Sequence, residues 1–278
     1  NSNEKKRFEK FKKFQLTEKE FTELSRFAKK KKLKFISTPF DIKSAKYLNK
    51  IVDCFKISSG DNNYIQLIKQ VLTFKKHTII STGLLSFKEI KRLISFVKKN
   101  KFPLSKLSLL HCVSAYPVST EEANLSSISF LKKNLNVSIG YSDHTSGVEA
   151  SMIAASLGAD IIEKHFTLDK NFSNFRDHKL SADPKEMSRL VSLIRKTEMM
   201  LGKFDKKISK TEIINKKTTR RSIYARFDLK KKEIITYNKI KIVRPENSLS
   251  PNMLSKIIGK KLLKNIKKNK PIKKEFLK

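Results

Sequence analysis

The chain has no tryptophan, only two cysteines, and just seven glycines and seven prolines among 278 residues. Two cysteines cannot supply a disulfide framework for this length. Both Cys54 and Cys112 sit inside apolar, strand-like segments, which suits a reduced pair of small core residues. No apolar run nears the ~20 residues of a membrane span, the longest being of the kind "IIST" and "LSLLHCV", and no charged n-region with an apolar h-region opens the chain. A cytoplasmic protein is expected. Acidic residues are also few, 26 against 62 lysines and arginines, for a formal charge of +36.

A basic excess can mark nucleic-acid or anionic-membrane binding through counterion release. Here the lysines spread over helix-like segments such as "FAKKKKLK" and over the end of the chain, "IGKKLLKNIKKNKPIKKEFLK". Arginine, the residue that forks onto phosphates and stacks on bases, is scarce beside lysine. No zinc-finger spacing or aromatic-basic ribonucleoprotein motif occurs. The excess reads as lysine-rich solvated faces, and neither a nucleic acid nor a membrane is expected as partner. Ordinary proportions remain, 38% hydrophobic and 9% aromatic, enough for a large core in one or two domains.

What is present is a repeat of short β-branched runs: "LKFIS" at 33–37, "CFKIS" at 54–58, "HTIIS" at 77–81, "LSLLH" at 107–111, "NVSIG" at 136–140 and "DIIEK" at 160–164. Between them lie segments of helical period. Phe87, Ile90, Leu93, Ile94 and Val97 make one apolar face, and Val148, Met152 and Ala155 another, with Gly158 as a C-cap. Six β/α units in succession call for parallel strands with right-handed crossovers, in a (β/α)₈ barrel or an open doubly wound sheet. Polar or glycine-bearing residues follow every strand: "STPFD", "SSGDNN", "STG", "CVSAYP", "YSDHTSG" and "HFT". In a barrel all these ends meet on one face, whereas an open sheet concentrates chemistry at one switch point, so the barrel is favoured.

Two of only five histidines, His144 and His165, follow neighbouring strands. Strands pair about 4.8 Å apart, so the two imidazoles can converge above the barrel mouth as ligands of a first-row divalent metal. The alternative is that each histidine only caps its own strand through hydrogen bonds.

"STPFD", "FKISSGDNN", "IISTG", "LLHCVSAYP", "IGYSDHTSG", "IIEKHFT" and "DHKLSADP", in this order, resemble the sialic acid synthase family, which makes N-acetylneuraminate, legionaminate and pseudaminate. "RRSIYARFDLKKKEIITYNKIKIVRPENSLSP" and "IGKKLLKNIKKNKPI" are similar to that family's antifreeze-protein-like SAF domain. The resemblance implies a TIM-type barrel catalytic domain over 1–203 and a small β-rich domain over 220–278, and the polar stretch between them, 204–219, reads as a linker. It implies condensation of phosphoenolpyruvate with an N-acetylated aminohexose, such as N-acetylmannosamine, to give a nonulosonic acid and phosphate.

It also implies site residues. A divalent metal, commonly manganese, with magnesium or cobalt as alternatives, would sit on His144 and His165 and polarise the aldehyde. Asp61 matches an acidic position, glutamate in some members, suited to a base that activates water. Lys56, Ser59, Thr38, Ser81, Ser114 and Ser142 match the cradle for the phosphate and carboxylate of phosphoenolpyruvate. A serine after a strand can equally be a turn or cap, and Lys56 can be read as a Schiff-base lysine. Tyr116 and Asp177 match residues that hold the sugar. Arg244 matches an arginine that reaches the N-acetyl group from the other subunit of a domain-swapped homodimer. Glu246 stands where the family carries a glycine after "RP".

Six strands are found where the barrel needs eight. The family's first two, with an Asn-His-Gly loop and a Lys-Gln strand end, have no counterpart here, so a fragment of a longer protein is expected. Other phosphoenolpyruvate-dependent sugar-acid synthases or aldolases on the same barrel, and an inactive basic binding protein, are the competing readings.

Overall fold

The structure is a computed structural model describing residues 8–9, 12–173 and 176–278. The chain divides into two compact units, Asn1–Gly202 and Lys203–Lys278.

The first unit is a six-stranded parallel sheet in simple sequential order. Its strands are β1 (Ile36–Ser37), β2 (Cys54–Ile57), β3 (His77–Ser81), β4 (Leu107–Cys112), β5 (Ser138–Asp143) and β6 (Ile162–Lys164). Each falls within or against one of the β-branched runs. β2 and β4 are buried at every position, as parallel strands covered on both faces must be.

The helices begin where the sequence caps them. In α1 (Glu18–Lys30), Thr17 and Glu20 form a capping box. The next two helices are α2 (Ile42–Leu48), which opens on the Asp41 side chain, and α3 (Ile65–Thr73). α4 (Phe87–Lys99) has a box of Ser86 and Glu89 and buries Ile90, Leu93, Ile94 and Val97, the stripe expected from its period. α5 (Ser126–Asn134) and α6 (Glu149–Ser156) follow β4 and β5, and Gly158 takes φ +92° just past α6. After α7 (Arg176–Leu180), α8 (Pro184–Leu201) opens on an Asp183–Glu186 box with proline in its first turn.

The core between sheet and helices is built on Phe55, Ile57, Leu67, Ile68, Ile80, Leu109 and Ile139. Gly140 marks its tightest point. A Cβ there would lie 2.5 Å from both the Ile161 carbonyl oxygen and Leu110 Cδ2, so no larger residue fits without moving β4 or β6.

The sheet is curled into a partial barrel. Residues of its two end strands, Thr38 after β1 and Glu163 on β6, line one cavity of about 630 Å³ with Lys56, Ile79, and Met187 and Val191 of α8.

The second unit closes a core of its own. β7 (Ser222–Ala225) pairs antiparallel with β8 (Ile240–Val243). Ile223, Ala225, Leu229, Ile235, Ile240, Ile257, Leu262, Ile266 and Ile272 are buried together, with α10 (Leu254–Ile257) contributing Ile257. The stretch 204–219, read from its polarity as a linker, contains α9 (Lys210–Thr219). Its signal is the Ser209–Glu212 capping box, and none of its residues is buried, so it is a solvated helix that apolar periodicity could not reveal.

Candidate active site

β5 and β6 are in register with Ser142 opposite Glu163 and Asp143 opposite Lys164. The next residue on each chain is a histidine, and the two rings come within 5.3 Å, centroid to centroid. Nδ1 of His144 donates to the Val113 carbonyl at 2.8 Å. That bond selects the tautomer whose Nε2 carries the free lone pair, the arrangement usual for a metal-binding imidazole. Burial makes His165 harder to protonate, opposed by the nearby carboxylates of Asp177 and Glu163. A neutral imidazole is the form that binds metal. Tyr116 covers the pair, its ring 4.2 Å from His144 and edge-on to His165 at 5.7 Å.

Among the described residues no group of three or more His, Cys, Asp or Glu forms a metal cluster. The donor set is thus two imidazoles. It fits an open site, in which a divalent ion takes its other ligands from water or substrate. Among the described residues a site of three or four protein ligands is not formed.

Two groups of polar side chains lie beside the rings. On the inner face, two residues before each histidine, Ser142 donates to Glu163 at 2.7 Å and Lys56 Nζ lies 3.3 Å from the same carboxylate. Thr38 lines the same cavity. Farther along the strand ends, a Cβ on Gly83 would meet Ser114 Oγ at 2.5 Å and Ser59 Oγ at 2.7 Å. Two hydroxyls from the ends of β2 and β4 therefore face the space that glycine leaves open after β3. Ser81 is buried, and its Oγ has no hydrogen-bond partner among the described residues. An orphaned buried hydroxyl at a strand end is more in keeping with a ligand contact than with a turn or cap.

Cys112 lies under this cradle, with Ser59 Oγ at 3.6 Å and His144 Nδ1 at 3.9 Å. Burial alone would raise its thiol. Contact with His144, with help from the Ser59 and Ser142 hydroxyls, brings it below the ordinary value instead.

The remaining expected residues are placed differently. Asp61 ends a short 3₁₀ turn after β2, and its carboxylate accepts from the Ser58 hydroxyl in the same turn. Asp177 is half-buried in the first turn of α7 and close enough to act on His165 through its charge. Arg244 lies in the second unit, exposed on the loop after β8. That loop is tied down by Tyr224, whose hydroxyl donates to the Pro245 carbonyl and Asn247 Oδ1, and by Glu246 N–H donating to Lys217 of α9. Glu163 and Gly83 were not singled out in the sequence. Glu163 looked like one more strand residue in "IIEK". Its signal was its place two residues before His165, which strand alternation puts on the same face.

A model of the NeuB family matches residues 1–206, and one of the SAF domain matches residues 220–278. Over 272 residues the chain is 37% identical to the N,N'-diacetyllegionaminic acid synthase of Campylobacter jejuni, covering 98% of this chain and 81% of that protein. It is 36% identical over 233 residues to the pseudaminic acid synthase of the same species, covering 83% and 66% respectively. Among solved structures, N-acetylneuraminic acid (sialic acid) synthetase from Leptospira borgpetersenii, crystallised with citrate, aligns at TM-score 0.68 and 37% identity, over 72% of this chain and 70% of that one. The chain belongs to the NeuB family, with a SAF domain over residues 220–278.

Proposed function

We propose that the chain is a nonulosonic acid synthase, condensing phosphoenolpyruvate with the open-chain aldehyde of an N-acetylated aminohexose and with water. C3 of phosphoenolpyruvate bonds to the aldehyde carbon, water adds to C2, and the bond from C2 to the phosphate oxygen breaks, releasing phosphate. The observation that carries this reading is the meeting of His144 and His165 beside Lys56, on one inner face of a NeuB-family barrel.

His144 and His165 would hold a divalent ion, manganese in this proposal, which when bound supplies Lewis acidity toward the aldehyde oxygen. Lys56, Thr38 and Ser142 bind one anionic end of phosphoenolpyruvate, and Ser59, Ser81 and Ser114 the other. The salt bridge from Lys56 to Glu163 suits an anion contact better than a Schiff base. Tyr116, its ring tilted against His144, and Asp177, beside His165, hold the sugar. Asp61 takes the proton of the attacking water. A homodimer in which Arg244 meets the sugar's N-acetyl group belongs to the same proposal and rests on family membership.

The test is phosphate release from phosphoenolpyruvate with N-acetylmannosamine, its 6-phosphate and diacetamido hexoses, with manganese and with excess chelator. The proposal expects release with one acceptor class, abolished by chelator. Release that ignores the chelator, or that needs no sugar, would overturn it.

A further inference from the structure

The residue before each histidine carries a charge, and the two charges meet. Asp143 Oδ2 lies 3.1 Å from Lys164 Nζ, with side-chain exposures of 0% and 2%. Strand alternation turns Ser142 and His144 to the inside of the curled sheet and Asp143 to the outside, under α6, where Ser151 of that helix donates to it at 2.6 Å. Thr145 adds its N–H and hydroxyl, both at 2.8 Å, to Asp143 Oδ1. Lys164 Nζ also donates to the Thr145 carbonyl, at 2.5 Å. The pair thus grips both sides of the chain at His144, and the site chemistry lies on the opposite face.

A buried ion pair is a poor source of stability, because desolvating two charges offsets their attraction; its best-attested use is to fix register. Register is what this place needs. β6 has three residues and, among the described residues, pairs only with β5. A slip of one residue would turn His165 to the outside and separate the rings. The opposite face carries a second cross-strand contact, Ser142 to Glu163, one step earlier. Beyond the histidine, Ala182 N–H donates to the His165 carbonyl at 2.8 Å.

We propose that Asp143 and Lys164 are positioning residues: a buried cross-strand strut that holds β5 and β6 in the one register where His144 and His165 converge. The strut acts through the two histidines. It rests on the metal reading above only for its most convenient readout.

The experiment is manganese titration of the full chain, followed by the electron paramagnetic resonance of free ion. It compares wild type, Asp143→Asn, Lys164→Met and Lys76→Met, each checked for folding by circular dichroism. Asp143→Asn keeps the shape and most hydrogen bonds, so it remains informative if Lys164→Met does not fold. Lys76 is the control, a half-buried amine that donates to the Asn49 and Val52 carbonyls, outside the histidine site. Disturbing what supports a ligand weakens metal binding by about 10- to 100-fold, and that loss is expected for Asp143→Asn and Lys164→Met but not for Lys76→Met. Wild-type affinity in folded Asp143→Asn, or an equal loss in Lys76→Met, overturns the strut.

If wild type takes up no manganese, the metal reading fails by itself. The strut is then decided by the nuclear Overhauser contact between the His144 and His165 rings, present in wild type and lost in Asp143→Asn if the strut is real. A contact that survives there overturns it.

Discussion

The two ends of the same sheet use polar residues in opposite ways. At the amino end, Lys76 donates to two carbonyls, Asp53 accepts from Phe35 N–H, His77 pairs with Ser108, and Asp160 takes Ser138, Ile139 and Lys132. Each group there is consumed by tying strands, helices and their connections together. At the carboxyl end, histidine faces histidine, two serines face the space over a glycine, and Ser81 keeps an unpartnered hydroxyl. Polar groups go to structure at one end, whereas at the other several are left convergent beside the structural ones, the division expected of a (β/α) barrel.

The largest effect expected from this contrast is on the histidines. His144→Ala or His165→Ala should reduce manganese-dependent phosphate release by more than about 100-fold, since loss of a direct ligand exceeds the loss caused by its supports. The double variant should be hardly worse than either single one, because both act through one ion. His77→Ala, at the other end, should leave turnover near wild type. Steady-state assays with purified, folded variants check all three.

Next comes a pair of lysines. Lys56→Met should lower kcat/KM for phosphoenolpyruvate about 10- to 100-fold, the value of a lost charge-assisted hydrogen bond. Lys76→Met should leave kcat/KM alone and cost about 1–3 kcal/mol in urea unfolding, because it strands two carbonyls. Exchanged outcomes would break the comparison.

A smaller effect is expected at Ser81. Its Oγ has no hydrogen-bond partner among the described residues, so Ser81→Ala should unfold at the same urea concentration as wild type while raising the KM for phosphoenolpyruvate a few-fold. A stability loss would mean that the hydroxyl belongs to the structure.

The smallest is a pH effect. Burial makes His77, His111 and His165 harder to protonate than the ordinary 6.5, with the charges of Lys34 and Lys106 adding to the effect at His77. The unfolded chain therefore binds protons first as pH falls. Stability should be full above about 6.5 and decline as pH drops through the lowered values in the folded state. Urea midpoints at pH 7.5 and 5.5 measure the decline, and His77→Gln should lessen it; a midpoint rising toward pH 5.5 would contradict the sign.

Much of the fold was legible because its signals are local. Six β-branched runs at intervals of 21 to 30 residues became six parallel strands, and the stripe Ile90, Leu93, Ile94, Val97 became the buried face of α4. The nearness of the two histidines was legible too, since each follows a strand and neighbouring strands are close. What was not legible depends on register. Asp143 and Lys164 read as isolated charges until the pairing sets them opposite each other, and Glu163 could not be matched to Lys56, four strands away in sheet order. α9 escaped for another reason, as it buries nothing and shows only its cap.

The central claim is that the carboxyl ends of β5 and β6 form one metal site from two imidazoles. Manganese titration of the full chain and of His144→Ala, His165→Ala and His77→Ala tests it most directly. One ion per chain is expected in wild type and in His77→Ala, with binding lost in each of the other two. Undiminished binding in either His144→Ala or His165→Ala would contradict the claim, and so would its loss in His77→Ala.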